Sequence, residues 1–566
     1  MLLITLSWIY ILFTTINLGF GLDKLVTLKN RNFVITSILG LFSATILGSI
    51  WAVFGRINIE FHLVLLLINS FIFLKFKAQI LEIYKLFIKK FKKLNAGLQL
   101  YLYIIIFLII AQCAAIPYII DNESYYIQTI KWINEFGFVK GLANLHIFFG
   151  QTSGWHITQS VFNFSFLYTN FNDLSGFCLL LGNIFTVFKL NSYFENENKS
   201  YLIVGLLPLA NVLLFQFISA PSPDLPVYVF SFIVFFYFLE HFTNVTSQKF
   251  NIIVILSLFV LYIKPTAIAL LVLPLLILIQ NFKILKLKLF PSFVFGLLIL
   301  ALFITKNIII TGYPFYPTQL FSFRMYDFGV PKELVSFYFD ETKLYGFFLT
   351  KAEFHSLSYF QILIKWLTIN KINSLFNIVS VLIVVVCPYL IYNYYNRKSF
   401  WYLYGIMVFQ LLVLLITSPQ FRFFVHFILF FGFFVVSCFI KNKRFITLML
   451  FGSSLLVVVM LFFPIKFSLL THNKLIIDNS RFNVNETIYP YQNSKLKTNF
   501  HKMKIGNLYY NSPDENAYFW TNGNGNLPCV NAQQIDYFKK YFYYIPQMRT
   551  NNLKDGFYSK KLSSND

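Results

Sequence analysis

Long apolar runs alternate with short polar breaks along most of the chain. Runs long enough to cross a bilayer, about 20 residues each, fall near 2 to 22, 33 to 55, 60 to 75, 99 to 120, 174 to 190, 201 to 219, 226 to 243, 291 to 311, 373 to 395, 400 to 417, 423 to 440 and 446 to 465. Two stretches fit this pattern less simply. The segment 155 to 168 is too short to cross and is expected to lie in the interface or to re-enter. The segment 252 to 280 is too long for one span, and Lys264-Pro265 divides it. Proline removes a backbone donor and drives the residue before it out of the helical region. Residues 252 to 263 and 266 to 280 are therefore expected to form a hairpin. The pattern predicts an all-α polytopic membrane protein with about 12 to 14 transmembrane helices.

Composition excludes the alternative of a soluble globule. Of 566 residues, 57% are hydrophobic and only 12% charged, where soluble domains carry about a quarter charged. The net charge of +23 would point to nucleic acid in a soluble protein. Here the basic residues fall in short loops between apolar runs, so they report orientation and no nucleic-acid partner is expected. The first 22 residues lack a basic leader and a small-residue cleavage site and read as a first span. Four of the five cysteines, Cys113, Cys178, Cys387 and Cys438, lie in apolar runs and act as small hydrophobes, with Cys529 in the tail.

With the hairpin counted out and back, Lys24, Lys29, Arg31, the run 75 to 93, KILKLK (283 to 288), Arg397, Lys398 and KNKR (441 to 444) share one side. The positive-inside rule makes that side cytoplasmic. The N-terminus, the loops 121 to 173, 219 to 225, 312 to 372 and 418 to 422, and the tail are expected outside. The run 75 to 93 is amphipathic and reads as an interfacial helix on anionic lipid. Three parts follow: a transmembrane extension over 1 to 98, a transmembrane core over 99 to 465, and a small extracytoplasmic region over 466 to 566. The tail is rich in Asn, Tyr and Lys, and FWTNGNGNLPCVNA (519 to 532) marks a turn region. NVT (244 to 246) and NET (485 to 487) match the glycosylation sequon, a pattern common by chance.

The outer side carries polar groups that a membrane anchor does not need. Asp121 and Glu123 open IIDNESYYIQTIKWI (119 to 133), where Tyr125, Ile127, Ile130, Trp132 and Ile133 form an apolar stripe suited to headgroup depth. An acid in a first helical turn also serves as a cap or dipole partner. His146 in GLANLHIFFGQTSGW, Asp224 in SAPSPDLP, Lys306 in TKNIIITGYPFYP and Arg422 in SPQFRF sit at the same predicted level. Each has a plain alternative: a satisfied histidine, a turn cap, a snorkelling lysine. A charge at the depth of Arg422 is costly and commonly functional. Together they suit one chemistry, in which cations receive a departing lipid phosphate and a carboxylate base activates the acceptor hydroxyl. That chemistry requires Asp121 and Arg422 to share one site.

The run DNESYYIQTIKWINEFGFVKGLANLH, followed by GQTSGW, resembles the first outer loop of an uncharacterised family of bacterial polytopic proteins with a GT-C glycosyltransferase-like fold. That superfamily includes the dolichyl-phosphate-mannose protein mannosyltransferases and the aminoarabinose transferase acting on lipid A. The segments around Asp224, Lys306 and Arg422, and LPCVNA in the tail, follow in the matching order, so the resemblance covers roughly residues 99 to 566. It implies that Asp121 is the base or, in some branches, a metal ligand, so a divalent metal is possible. Tyr126 stands where the resemblance leads one to expect histidine, and Phe148 where it leads one to expect arginine.

The resulting expectation is a transferase in a bacterial inner membrane, taking a sugar from a polyprenyl-phosphate donor and placing it on a glycan, lipid or protein outside. Asp121 is the expected base. Arg422, Lys306, Lys264, His146, Asp224, Glu123 and Tyr125 are the expected substrate contacts. A glycan polymerase using a diphosphate donor, a glycolipid flippase and a non-catalytic assembly protein remain as alternatives.

Overall fold

The computed structural model describes residues 1–322, 326–466 and 478–563. Residues 467–477 and 564–566 of the expected tail lie outside the described residues. Eleven of the described helices are long and apolar enough to cross a membrane, and the chain is a predominantly helical multi-pass membrane protein. The first four are α1 (Leu2–Val26), α2 (Phe33–Phe54), α3 (Ile59–Lys92) and α4 (Ala96–Ala114). Two short helices, α5 (Ile127–Phe136) and α6 (Gly154–Val161), precede α7 (Leu174–Asn196), α8 (Lys199–Phe217) and α9 (Asp224–His241). Then come α10 (Ser247–Ile263), α11 (Val272–Gln280), α12 (Phe290–Thr311) and the shorter α13 (Lys332–Phe347). The last of the bundle are α14 (Ile372–Tyr394), α15 (Lys398–Thr417), α16 (Val425–Phe439) and α17 (Lys443–Phe462).

Asparagine starts several of these helices. Asn32, Asn95 and Asn442 each accept a bond from a backbone N–H of the first turn, satisfying donors that have no partner inside the helix. Close packing of α1 on α2 depends on two glycines. A Cβ on Gly40 would stand 1.8 Å from Thr15 O, and one on Gly19 would stand 1.9 Å from Thr36 O. The two backbones touch as small-residue helix pairs do in membranes.

The span at 60 to 75 and the amphipathic run at 75 to 93 are two helical segments within Ile59–Lys92, joined at a kink where Phe76 leaves helical geometry (φ −123°, ψ 22°). Two other expectations are corrected. The segment at 155 to 168 contributes α6, whose eight residues are all buried, with Thr158 bonded to Thr45 of α2 at 2.6 Å. It lies inside the protein, not in a lipid interface. The stripe of α5 is likewise covered by protein, with Trp132 fully buried, because the tail and α6 occupy the level assigned to headgroups. At 252 to 280 the chain does break: α10 ends at Ile263, Lys264 is extended, and a 3-10 turn over Pro265–Leu271 leads into α11.

Contacts sort the loops into two groups. On one face, Lys443 pairs with Glu197 at 3.1 Å, Lys199 reaches Tyr394 O and Asn95 N meets Asn191. On the other, the loops after α4, before α9, after α12 and before α16 meet each other and the tail. The Met1 amino group donates to Glu486 O there at 2.5 Å. The described tail contains two antiparallel hairpins, β1 (Phe500–Ile505) with β2 (Leu508–Pro513) and β3 (Tyr544–Met548) with β4 (Phe557–Lys561), and helix α18 (Ala532–Phe542). These small sheets are the departure from an all-helical chain.

Candidate functional site

Asp121 opens a π-helical turn, Asn122–Tyr126, and its side chain caps nothing. It reaches across the face to the turn before α16. Arg422 Nη1 donates to Asp121 Oδ2 at 2.7 Å, although the two residues lie 301 positions apart. Gln420 Oε1 accepts from Arg422 Nε at 2.8 Å and Tyr228 donates to Arg422 O at 2.7 Å. Gln420 thus holds the guanidinium, while Tyr228 of α9 holds the backbone of the tight turn Phe421–Phe423 that carries it. The pair stays partly open, with the Arg422 side chain 36% and the Asp121 side chain 19% exposed.

A second pair stands beside the first. Lys264 Nζ, at the break after α10, donates to Asp224 Oδ1 in the first turn of α9. Its ammonium also lies over the Phe423 ring at 4.2 Å. Asp224 is buried, and the field of Arg422 and Asp121 reaches Lys264. Four charges from four separated segments thus gather at one place. The Pro265 break explains Lys264: the extended residue before a proline turns its side chain away from the helix it leaves.

Aromatic side chains wall this cluster. Tyr126 donates to Asp121 Oδ2 at 3.4 Å, and Tyr125 donates to Gln151 Oε1 at 3.3 Å. Burial, with Asp121 adding to it, pushes the Tyr125 hydroxyl well up. Phe148 stacks on Trp520 of the tail at 4.6 Å and lies 5.6 Å from the Tyr125 ring. The field of Arg422 and Asp121 also reaches Tyr338. His156 packs 4.7 Å behind Tyr126 and accepts from Ser153 N, while its Nε2 has no hydrogen-bond partner among the described residues. Burial pushes His156 down to about 3, so it is neutral. Both departures from the GT-C-like pattern, Tyr126 and Phe148, are therefore in this wall. His156, Tyr228, Tyr338 and Trp520 carried no usable signal as isolated residues in aromatic-rich sequence.

Three expected contacts stand elsewhere. Glu123 is buried under the tail and accepts from Ser494 Oγ at 2.5 Å, Lys495 N at 2.8 Å and Asn122 Nδ2 at 3.2 Å. Its own carbonyl accepts from Asn522 N and Gly523 N. Desolvation pushes its carboxyl up, partly offset by the Ser494 hydroxyl. Glu123 is thus held by the tail and by Asn122, not by the four charges of the cluster. His146 is buried, accepts from Phe148 N at 3.1 Å, and is pushed down to about 3 by burial. It braces the turn that carries Phe148. Lys306 is also buried; it donates to Thr152 O at 2.5 Å and Asn307 Oδ1 at 2.7 Å, so its ammonium is used in holding the 147–152 turn against α12.

Cavities of about 270 and 650 Å³ lie apart from the charged cluster, at the end of α2. For a divalent metal the donor set does not fit: among the described residues no three His, Cys, Asp or Glu side chains stand together, and Asp121 and Asp224 each face a cation. A family model described as "Domain of unknown function (DUF8201)" matches residues 1–430. The match takes in α1 to α3 and all four charges of the cluster, and stops before the tail. No curated protein and no solved structure matches the chain.

Proposed function

The chain belongs to the DUF8201 family, and from its paired charges we propose that it is a membrane-embedded glycosyltransferase using a polyprenyl-phosphate sugar. The observation that carries this reading is the Asp121–Arg422 pair at 2.7 Å, partly open and ringed by aromatics. Arg is suited to grip a phosphate through two parallel N–H donors. An incoming lipid phosphate takes Arg422 away from Asp121, and the freed carboxylate then accepts the proton of the acceptor hydroxyl. Magnitudes favour opening this pair and not its neighbour. Exposed ion pairs contribute about 0–1 kcal/mol, whereas breaking a buried pair costs about 3–5 kcal/mol. The Arg422 and Asp121 side chains are 36% and 19% exposed, against 17% and 4% for Lys264 and Asp224. Asp224–Lys264 therefore stays shut and holds the floor of the site. The stacked Phe148 and Trp520 rings give the site an aromatic side against which a sugar ring can rest.

By the positive-inside rule, the basic loops on the opposite face support a reading in which the site, the N-terminus and the tail lie outside a bacterial inner membrane. A glycolipid flippase is the second reading, favoured by the broken helix at Lys264-Pro265, since discontinuous helices line transport sites. The two separate in one assay. Membranes containing the protein are given labelled polyprenyl-monophosphate sugar or the corresponding diphosphate oligosaccharide. Transfer from the monophosphate, lost in Asp121→Asn by about 100-fold or more at equal protein level, is expected. Movement of the donor across the bilayer without its cleavage supports the flippase, and extension only from the diphosphate supports a polymerase.

A further inference from the structure

Segments far apart in sequence meet where α2 and α12 end on the tail-bearing face. Phe138 N donates to Ala52 O at 2.7 Å, Gly141 N to Ile309 O at 2.8 Å, and Phe557 N of β4 to Lys140 O at 2.9 Å. The junction is tight: Gly141 has φ +62°, and a Cβ there would stand 2.2 Å from Phe557 O. Beside this backbone framework opens the cavity of about 650 Å³, within the size range of small-molecule sites, about 300–1,000 Å³.

Its lining has two characters. Val53 and Phe54, the last residues of α2, and Ile309, close to the end of α12, supply an apolar wall continuous with the membrane-crossing helices. Phe54 is 79% exposed. Lys140, Arg549 and Lys554 supply cations on the tail side. Arg549 is held by Asp327 at 2.6 Å, and the nearby Asp555 accepts from Thr550 at 2.6 Å. The ammoniums of Lys140 and Lys554 have no acidic partner among the described residues.

We propose that this groove binds one anionic membrane phospholipid, with its phosphate between Lys140 and Lys554 and the start of its chains on Val53 and Phe54. An apolar wall that begins where two spans end receives a chain leaving the hydrocarbon, and a soluble phosphate has no use for it. Two free ammoniums at that level favour an anionic headgroup over a zwitterionic one. The inference does not depend on the transferase reading.

The test uses the full chain in detergent and native mass spectrometry with dioctanoyl phosphatidylglycerol, dioctanoyl phosphatidylcholine and glycerol 3-phosphate. Wild type is expected to hold one phosphatidylglycerol more tightly than phosphatidylcholine, with glycerol 3-phosphate a poor competitor. The double variant K140A/K554A is expected to bind it roughly 10-fold or more weakly, from the loss of charged hydrogen bonds, and K140R/K554R to retain it. Both side chains are exposed, so the fold tolerates the changes. Unchanged affinity in K140A/K554A overturns the site, and glycerol 3-phosphate displacing the lipid at equal concentration overturns the lipid assignment.

Discussion

Asp121 and Glu123 stand two residues apart in one π-helical turn, yet they face different partners. Asp121 points to Arg422 and keeps some access to solvent; Glu123 points under the tail, where two backbone or side-chain donors from 494–495 meet it. Their substitutions should separate accordingly. Glu123→Ala leaves buried donors without an acceptor, at about 1–3 kcal/mol for each such group. A lower melting temperature and faster proteolysis of the tail are expected, with Asp121→Asn close to wild type in both measurements. Equal melting of wild type and Glu123→Ala would remove the anchoring role. The charged residue types of the cluster were legible in the sequence because a lone charge at the end of an apolar run is conspicuous. The fates of Glu123, His146 and Lys306 were not. Each is satisfied by a backbone group, Lys495 N, Phe148 N or Thr152 O, and any residue type can supply such a partner.

At the scale of elements, hydrophobic run length located the spans because a helix satisfies its own backbone in lipid and needs only enough apolar residues to cross. Run length said nothing of which helices touch. The α1–α2 contact rests on Gly19 and Gly40, and a methyl group at either would strike backbone, which cannot swing aside. Gly40→Ala is expected to cost about 1–3 kcal/mol by overpacking, read as a drop in melting temperature of the detergent-solubilised protein. Gly452, with open space around its Cβ position, is the control: Gly452→Ala should melt no lower than wild type. The burial of α6 belongs to this scale too. It follows from its neighbours, and an amphipathic run has the same pattern whether lipid, water or protein covers it.

For the whole molecule, the tail and the N-terminus close one face together. Glu486, buried beside the Met1 amino group, has its carboxyl pushed from the usual 4.5 up to about 7 by burial. Between those values the folded chain holds a proton that the unfolded chain has released, so this group's contribution to stability is full below about 4.5 and is lost as pH rises through about 7. The melting temperature of wild type relative to Glu486→Gln should therefore fall between pH 4.5 and 7, and parallel curves would deny Glu486 that part. Orientation is open to a direct measurement. The five native cysteines are buried, so an impermeant maleimide should give little background. Asn485→Cys on the tail-bearing face is expected to label from outside intact cells and Lys441→Cys on the basic face only after lysis; the reverse pattern would invert the assignment.

By itself the sequence determined that this is a multi-pass membrane protein, where most of its helices run and where the chain breaks at Lys264-Pro265. Those properties depend on local apolar length and on proline's missing donor, which neighbouring residues alone decide. Only the tertiary structure decided that Asp121 meets Arg422 across 301 positions, that Asp224 locks Lys264, and that Glu123 serves the tail. Charge pairing acts through space over a few ångströms, and the packing that brings those residues together is a property of all the helices at once.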